Sequence, residues 1–298
     1  MSSCADPDPL VTPNTSGADA GDGDGDGDGD GDGDGDGDGD GGGGGETGNG
    51  CSKMDIVFVV DNSGSMEEEQ KLLAQSFPKM IEVLEDYKGG LLDYRVAVTT
   101  TSFPEEFFGM KLDNVQDGMF IKSQEMQHAW LSAGDADLTA TFTKIATVGT
   151  NGSGQEQPLG AAQSALTTRL KDTNKDFLRE DALLAIVILT DEDDGTVPPG
   201  STIIPGLSFG NEVPVADFIK TFDGIKGNRS RWATAVIAGQ MDCKSELGDA
   251  SEATRLKEFV KDTGKNAVFS NICTGKLDVA LEEALDTFAL ACDDIVLF

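Results

Sequence analysis

Two spacings of apolar residues alternate through residues 51–298. Short continuous runs, Met54–Val60, Tyr94–Thr101, Leu183–Leu189, Trp232–Ala238 and Ala267–Ser270, read as strands, with a short further strand near Met119–Lys122. The continuous apolar run LLAIVIL is typical of a parallel strand buried on both faces. Between the runs, apolar residues recur at helical spacing. One helix follows Glu67 and aligns Leu73, Phe77, Met80, Ile81 and Leu84, and a second covers Leu138–Ala146. A third starts at Pro158, a residue suited to a first helical turn, and continues through Leu159, Ala162, Ala165, Leu166 and Leu170. Later helices align Phe218, Ile219, Phe222 and Ile225, then Leu256, Phe259 and Val260, then Leu277, Leu281, Leu285 and Phe288. Strand and helix in alternation predict an α/β fold: a doubly wound, mostly parallel six-stranded sheet with helices on both faces.

Two of these strands stop on an acid. The first ends at Asp61, followed by Ser63 and Ser65 in Asn-Ser-Gly-Ser, and the fourth ends at Asp191. If the strands lie in the common order 3-2-1-4-5-6, strands one and four are neighbours at the switch point, where open α/β sheets bind ligands. The turn Gly154-Gln155-Glu156, which opens the Pro158 helix, belongs to the same end of the sheet. Carboxylates and hydroxyls gathered there are the hard oxygen donors that Mg²⁺ and Ca²⁺ take.

Asp61-x-Ser63-x-Ser65 at a strand end resembles the metal-ion-dependent adhesion site of von Willebrand factor type A (VWA) domains. The resemblance extends from Cys51 to Cys292 and takes in Asp191 as the acid closing the fourth strand. It implies that the serines coordinate a divalent cation (Mg²⁺, or Ca²⁺ or Mn²⁺) directly, that the aspartates do so directly or through water, and that a partner's acidic group completes the shell. The family's second motif carries a threonine in a Gly-x-Thr turn, whereas Glu156 stands at that position here. A third carboxylate there would tighten cation binding, or would occupy the position of the partner's acid. Certain bacterial surface VWA proteins are more similar still, with the run Asp191-Glu192-Asp193-Asp194 and flanking cysteines. The expected function is therefore adhesion to a protein or glycan ligand without catalysis, with a structural scaffold whose metal site is degenerate, and after it a hydrolase using the same metal, as the alternatives. Glu192, Asp193 and Asp194 read as solvated loop acids in preference to an outer shell of the site, and Asn62 as a turn-shaping residue. Two predicted loops, 102–116 and 196–211, flank the site and are candidates for choosing the partner.

Composition separates the first 50 residues from the rest. They hold 14 acids, no lysine or arginine and ten consecutive Gly-Asp pairs at 21–40, and too few apolar side chains to build a core. Like charges on a glycine chain extend it, so residues 1–50 are expected to be a disordered acidic tether spanning about 35–40 Å as an ideal coil. Subtracting those 14 acids from 54 leaves 40 against 22 bases, about −18, on residues 51–298. Such a surface disfavours nucleic acid and anionic lipid. No apolar run approaches a bilayer span.

Four cysteines lie in the second part: Cys51, Cys243, Cys273 and Cys292. None has the close spacing of a zinc site, and they allow three disulfide connectivities. The ends of a doubly wound domain can lie close together, which favours Cys51–Cys292 and leaves Cys243–Cys273. Disulfides imply an oxidising compartment. Cys4, in Met-Ser-Ser-Cys-Ala, looks like the end of a bacterial lipoprotein signal without its hydrophobic part, the alternative being a stray thiol. Together these place the chain outside the cell or in the cell envelope, as an outer-membrane lipoprotein or a secreted protein, with membrane attachment only through Cys4.

Enzyme classes fare poorly on the same residues. Haloacid-dehalogenase-like phosphatases need Asp-x-Asp, and the second position here is Ser63. The single histidine, His128, sits in an undistinguished stretch, and no nucleophile elbow, phosphate-binding loop or dinucleotide fingerprint occurs.

Overall fold

The computed structural model describes residues 51–87, 92–104, 106–107, 110–111, 115–199, 201, 211–245 and 248–295. The acidic Gly-Asp tract, Cys4 and the middles of both flanking loops lie outside the described residues.

Six strands form one sheet: β1 (Lys53–Val60), β2 (Asp93–Thr100), β3 (Leu131–Ser132), β4 (Leu183–Leu189), β5 (Trp232–Ala238) and β6 (Ala267–Asn271). Their order across the sheet is β6-β5-β4-β1-β2-β3, so β1 and β4 are the central neighbours at the switch point. All pairings are parallel except β2 with β3. Helices α1 (Glu67–Asp86), α2 (Leu138–Ala146) and α6 (Leu277–Asp293) cover one face, and α3 (Pro158–Ala165), α4 (Val215–Lys226) and α5 (Thr254–Thr263) the other.

The period of two along each strand divides the core. Ile56, Phe58 and Val60 of β1 join Leu73, Phe77 and Phe142 on the first face, while Val57 and Val59 join Leu159, Phe218 and Trp232 on the second. Each residue of LLAIVIL is fully or almost fully buried, as a strand covered on both faces requires. No helix among the described residues is long and apolar enough to cross a membrane.

Two expectations need correction. The edge strand is not Met119–Lys122 but Leu131–Ser132, antiparallel to β2. Met119–Lys122 does run beside β2, with Ile121 N donating to Val98 O and the Thr99 hydroxyl to Met119 O, but the side-chain bond takes the place of a second ladder rung. The Pro158 helix ends at Ala165, short of Leu170. The Ala165 carbonyl accepts from the Asn174 side chain instead of continuing the helix, and a 3₁₀ turn, Arg169–Lys171, follows.

Both disulfides form as expected. Cys51–Cys292 joins the start of β1 to the last helix (Cα–Cα 5.0 Å), and Cys243–Cys273 clips a small hairpin, Cys243–Ser245 with Gly248–Ala250, to the turn after β6 (6.2 Å). Cys51 and Cys292 are completely buried, whereas Cys243 and Cys273 are half-buried. Thiolate attack needs access to sulfur. Mild reductant without denaturant is therefore expected to open Cys243–Cys273 first, seen as two alkylated cysteines by mass spectrometry. Simultaneous labelling of all four would refute this.

Candidate functional site

Parallel register brings the site residues level. Val60 of β1 pairs with Thr100 of β2 and Leu189 of β4, so the next residue on each strand, Asp61, Thr101 and Thr190, stands at the same edge. Asp191 follows one residue later. Asp61 is fully buried and its carboxylate is tightly held, with Oδ1 accepting from Ser63 N at 2.7 Å and Oδ2 from the Thr190 hydroxyl at 2.7 Å. The Ser63 bond curls the chain after β1 and sets the Ser63 and Ser65 hydroxyls 3.3 Å apart.

The turn before α3 enters from the side. Gly152 N donates to Asn62 O, and Asn62 Oδ1 accepts from the Ser102 hydroxyl, so Asn62 shapes the turn as expected. A Cβ on Gly152 would collide with the Asn62 side chain, which only glycine avoids. This docking delivers Glu156, 2% exposed, to the Thr101 hydroxyl, which donates to its Oε2. The structure thus gathers Asp61, Ser63, Ser65, Glu156 and Asp191 at one end of β1 and β4.

The carboxylates are crowded. Burial pushes Glu156 up to about 10, with the Asp61 charge adding to it. Asp191 rises to about 7, mainly through burial, with the Ser65 hydroxyl acting the other way. Burial raises Asp61 as well. The leading charges acting on Glu156 and Asp191 are other carboxylates, Asp61 and Glu192, joined by Glu69 at Asp191. Two buried oxygens, Glu156 Oε1 and Asp191 Oδ1, have no hydrogen-bond partner. A buried polar oxygen without a partner costs free energy that an exposed one recovers from water. Among the described residues, no three His, Cys, Asp or Glu side chains form a cluster that would hold a metal by themselves. The donor set is instead carboxylates completed by hydroxyls, and the two orphaned oxygens fit a hard cation.

Supporting residues that sequence reasoning did not single out are Thr101, Thr190, Gln70 and Arg255. Gln70, 1% exposed, donates to Asp61 O and Gly149 O and accepts from Gly149 N, tying β1 to the turn before α3. Its inward position in the first turn of α1 was the available signal. The reading of Asp193 and Asp194 as solvated acids is wrong. Asp194 is 2% exposed and accepts from Leu159 N, the Thr196 hydroxyl and Arg255, while Asp193 accepts from Arg255 N and Leu256 N at the start of α5. They join α3 and α5 to the acidic strand end. Glu192 alone of the three is exposed. His128 is exposed and stacks on Trp130 at 4.6 Å. The described ends of both flanking loops, Phe103, Pro104 and Val197–Pro199, line one cavity of about 390 Å³ beside α3.

No family model matches the chain, and no curated protein matches it. Among solved structures it is similar to proximal thread matrix protein 1 from the mussel byssus, at 12% identity and a TM-score of 0.45, over 80% of this chain and 49% of that one. It is similar to the pilus adhesin SpaC from Lactobacillus rhamnosus GG, at 14% identity and 0.46, over 80% and 31%. A further similar structure is the vWF domain of the type V pili tip protein Mfa5 from Porphyromonas gingivalis, at 11% identity and 0.43, over 83% and 99%. The chain spans about half the length of the first and about a third of the second.

Proposed function

We propose that this domain is an exported, non-enzymatic adhesion module that binds an acidic group of a protein or glycan partner through a divalent cation. Mg²⁺, or Ca²⁺ or Mn²⁺ in its place, is held by Asp61, Ser63, Ser65 and Asp191, with Glu156 as a further ligand. The observation that carries this reading is that buried Asp61, Glu156 and Asp191 stand at the same end of the sheet beside the Ser63 and Ser65 hydroxyls, with one oxygen of Glu156 and one of Asp191 lacking a hydrogen-bond partner. A divalent cation supplies the positive charge that lets such a site and an anionic partner meet. The two disulfides support an oxidising, extracellular or cell-envelope location, with lipidation of Cys4 as one means of attachment.

The raised carboxyl groups provide a test. A folded-state pKa above the unfolded value stabilises the protonated native form. Without a cation that stability is complete below the unfolded value of 4.5 for Glu156 and drains away as pH rises toward about 10. For Asp191 the window runs from 3.8 to about 7. The full chain in EDTA is therefore expected to melt at progressively lower temperature from pH 5 to pH 9. Saturating Mg²⁺ should raise the melting temperature most at the alkaline end, where protons no longer compete for the oxygens. At a hundred times Kd the gain is about 2.7 kcal/mol, or roughly 5–10 °C for a domain of this size. Melting curves that Mg²⁺, Ca²⁺ and Mn²⁺ all leave unchanged would instead favour a scaffold role indifferent to metal.

A further inference from the structure

One side of the site opens into a crevice of about 590 Å³, which begins at Ser65 and Asp191 and is closed opposite by the small hairpin after β5. That wall is already assembled. The Cys243–Cys273 disulfide holds its base, Ser251 N donates to Asp191 O at 2.8 Å, Glu252 N to Asp242 Oδ1 at 2.9 Å, and Ala253 N to Gly239 O at 2.9 Å. The hairpin is thus fixed to the backbone of a site residue, and a ligand reaching Asp191 from this side must lie along it. Asp191, which lines the crevice, is 3% exposed, and its buried Oδ1 has no hydrogen-bond partner.

The charges along the crevice have one dominant sign. Among the described residues, Glu192, Asp242 and Asp249 line it against one cation, Lys244, which already pairs with Asp249 at 3.1 Å. A cation at Asp61 and Asp191 would attract one carboxylate of a partner, but whatever flanks that carboxylate is laid over acids. Like-charge juxtaposition across an interface rejects partners, and complementary charge selects them. We propose that the hairpin crevice selects a protein segment in which one carboxylate is flanked by lysine or arginine. Uniformly acidic segments and polyanionic glycans are excluded. This rests on the cation reading above and names the ligand class for it.

The test uses the full chain with saturating Mg²⁺ and two synthetic peptides, acetyl-Gly-Lys-Gly-Asp-Gly-Lys-Gly-amide and its counterpart with both lysines replaced by glutamate. Binding is followed by isothermal titration calorimetry, with a Mg²⁺ titration of the same sample in parallel. At low salt the lysine peptide should bind on the order of tenfold more tightly, as a few exposed charge pairs allow. The ratio should fall toward one at high salt and in Asp242→Asn/Asp249→Asn. Equal binding, preference for the glutamate peptide, or no binding of either beside a saturable Mg²⁺ site would overturn this inference and leave the cation site standing. Absence of a saturable Mg²⁺ site would remove the cation reading, and this inference with it.

Discussion

Asp61→Asn is expected to abolish divalent-cation binding while leaving the fold intact. The substitution keeps the volume of a fully buried side chain and the oxygen that accepts from Ser63 N. Burial is the main cause that raises Glu156 and Asp191, and the substitution removes the Asp61 charge that adds to it, so the cation-free variant should melt no lower than the parent. The cation loses far more. Removing even a residue that only orients a ligand typically costs 10–100-fold in affinity, so losing the Asp61 carboxylate from the proposed site should weaken Mg²⁺ binding by about 100-fold. Calorimetric titration of parent and variant reads this directly. Equal binding by the two would exclude Asp61 as a ligand, and a parent without a saturable site would return the domain to a scaffold.

Removing the terminal disulfide should have the largest effect on stability. Cys51 and Cys292 are separated by 241 residues, and closing a loop of that length is worth about 5 kcal/mol of unfolded-state entropy. The bridge also fastens β1, the strand that carries Asp61, to α6. Cys51→Ser/Cys292→Ser is expected to lower the melting temperature by roughly 10–20 °C. The same double change at Cys243 and Cys273, which close a separation of 30, should cost less globally but loosen the wall beside Asp191. A fall of only a few degrees in the first variant would show that the Cys51 N to Cys292 O bond and helix packing hold the ends by themselves.

The fold was largely legible because burial leaves a periodic trace. A strand covered on both faces must be apolar at every position, as in Leu183–Leu189, and a helix against a sheet must be apolar at helical spacing, as in Leu73, Phe77, Met80, Ile81 and Leu84. The edge strand escaped because its two residues pair on one side only and need no apolar run. The end of α3 escaped because Asn174, nine residues on, takes the carbonyl of Ala165.

The site shows the same division. The residue types at Asp61, Ser63, Ser65 and Asp191, their places at strand ends and the cysteines that could pair are properties of short stretches of chain, so the sequence by itself determined them. Tertiary structure decided which groups share a proton, a hydrogen bond or a charge. Thr190 reaches Asp61 across 129 residues, and Thr101 reaches Glu156 across 55, because parallel register sets three strand ends level. The run Asp191-Glu192-Asp193-Asp194 looks uniform in sequence, yet one member faces the site, one faces solvent and two serve Arg255 and the ends of α3 and α5. Identical acids acquire different roles because desolvation and hydrogen-bond partners depend on the surrounding packing, which no local pattern encodes.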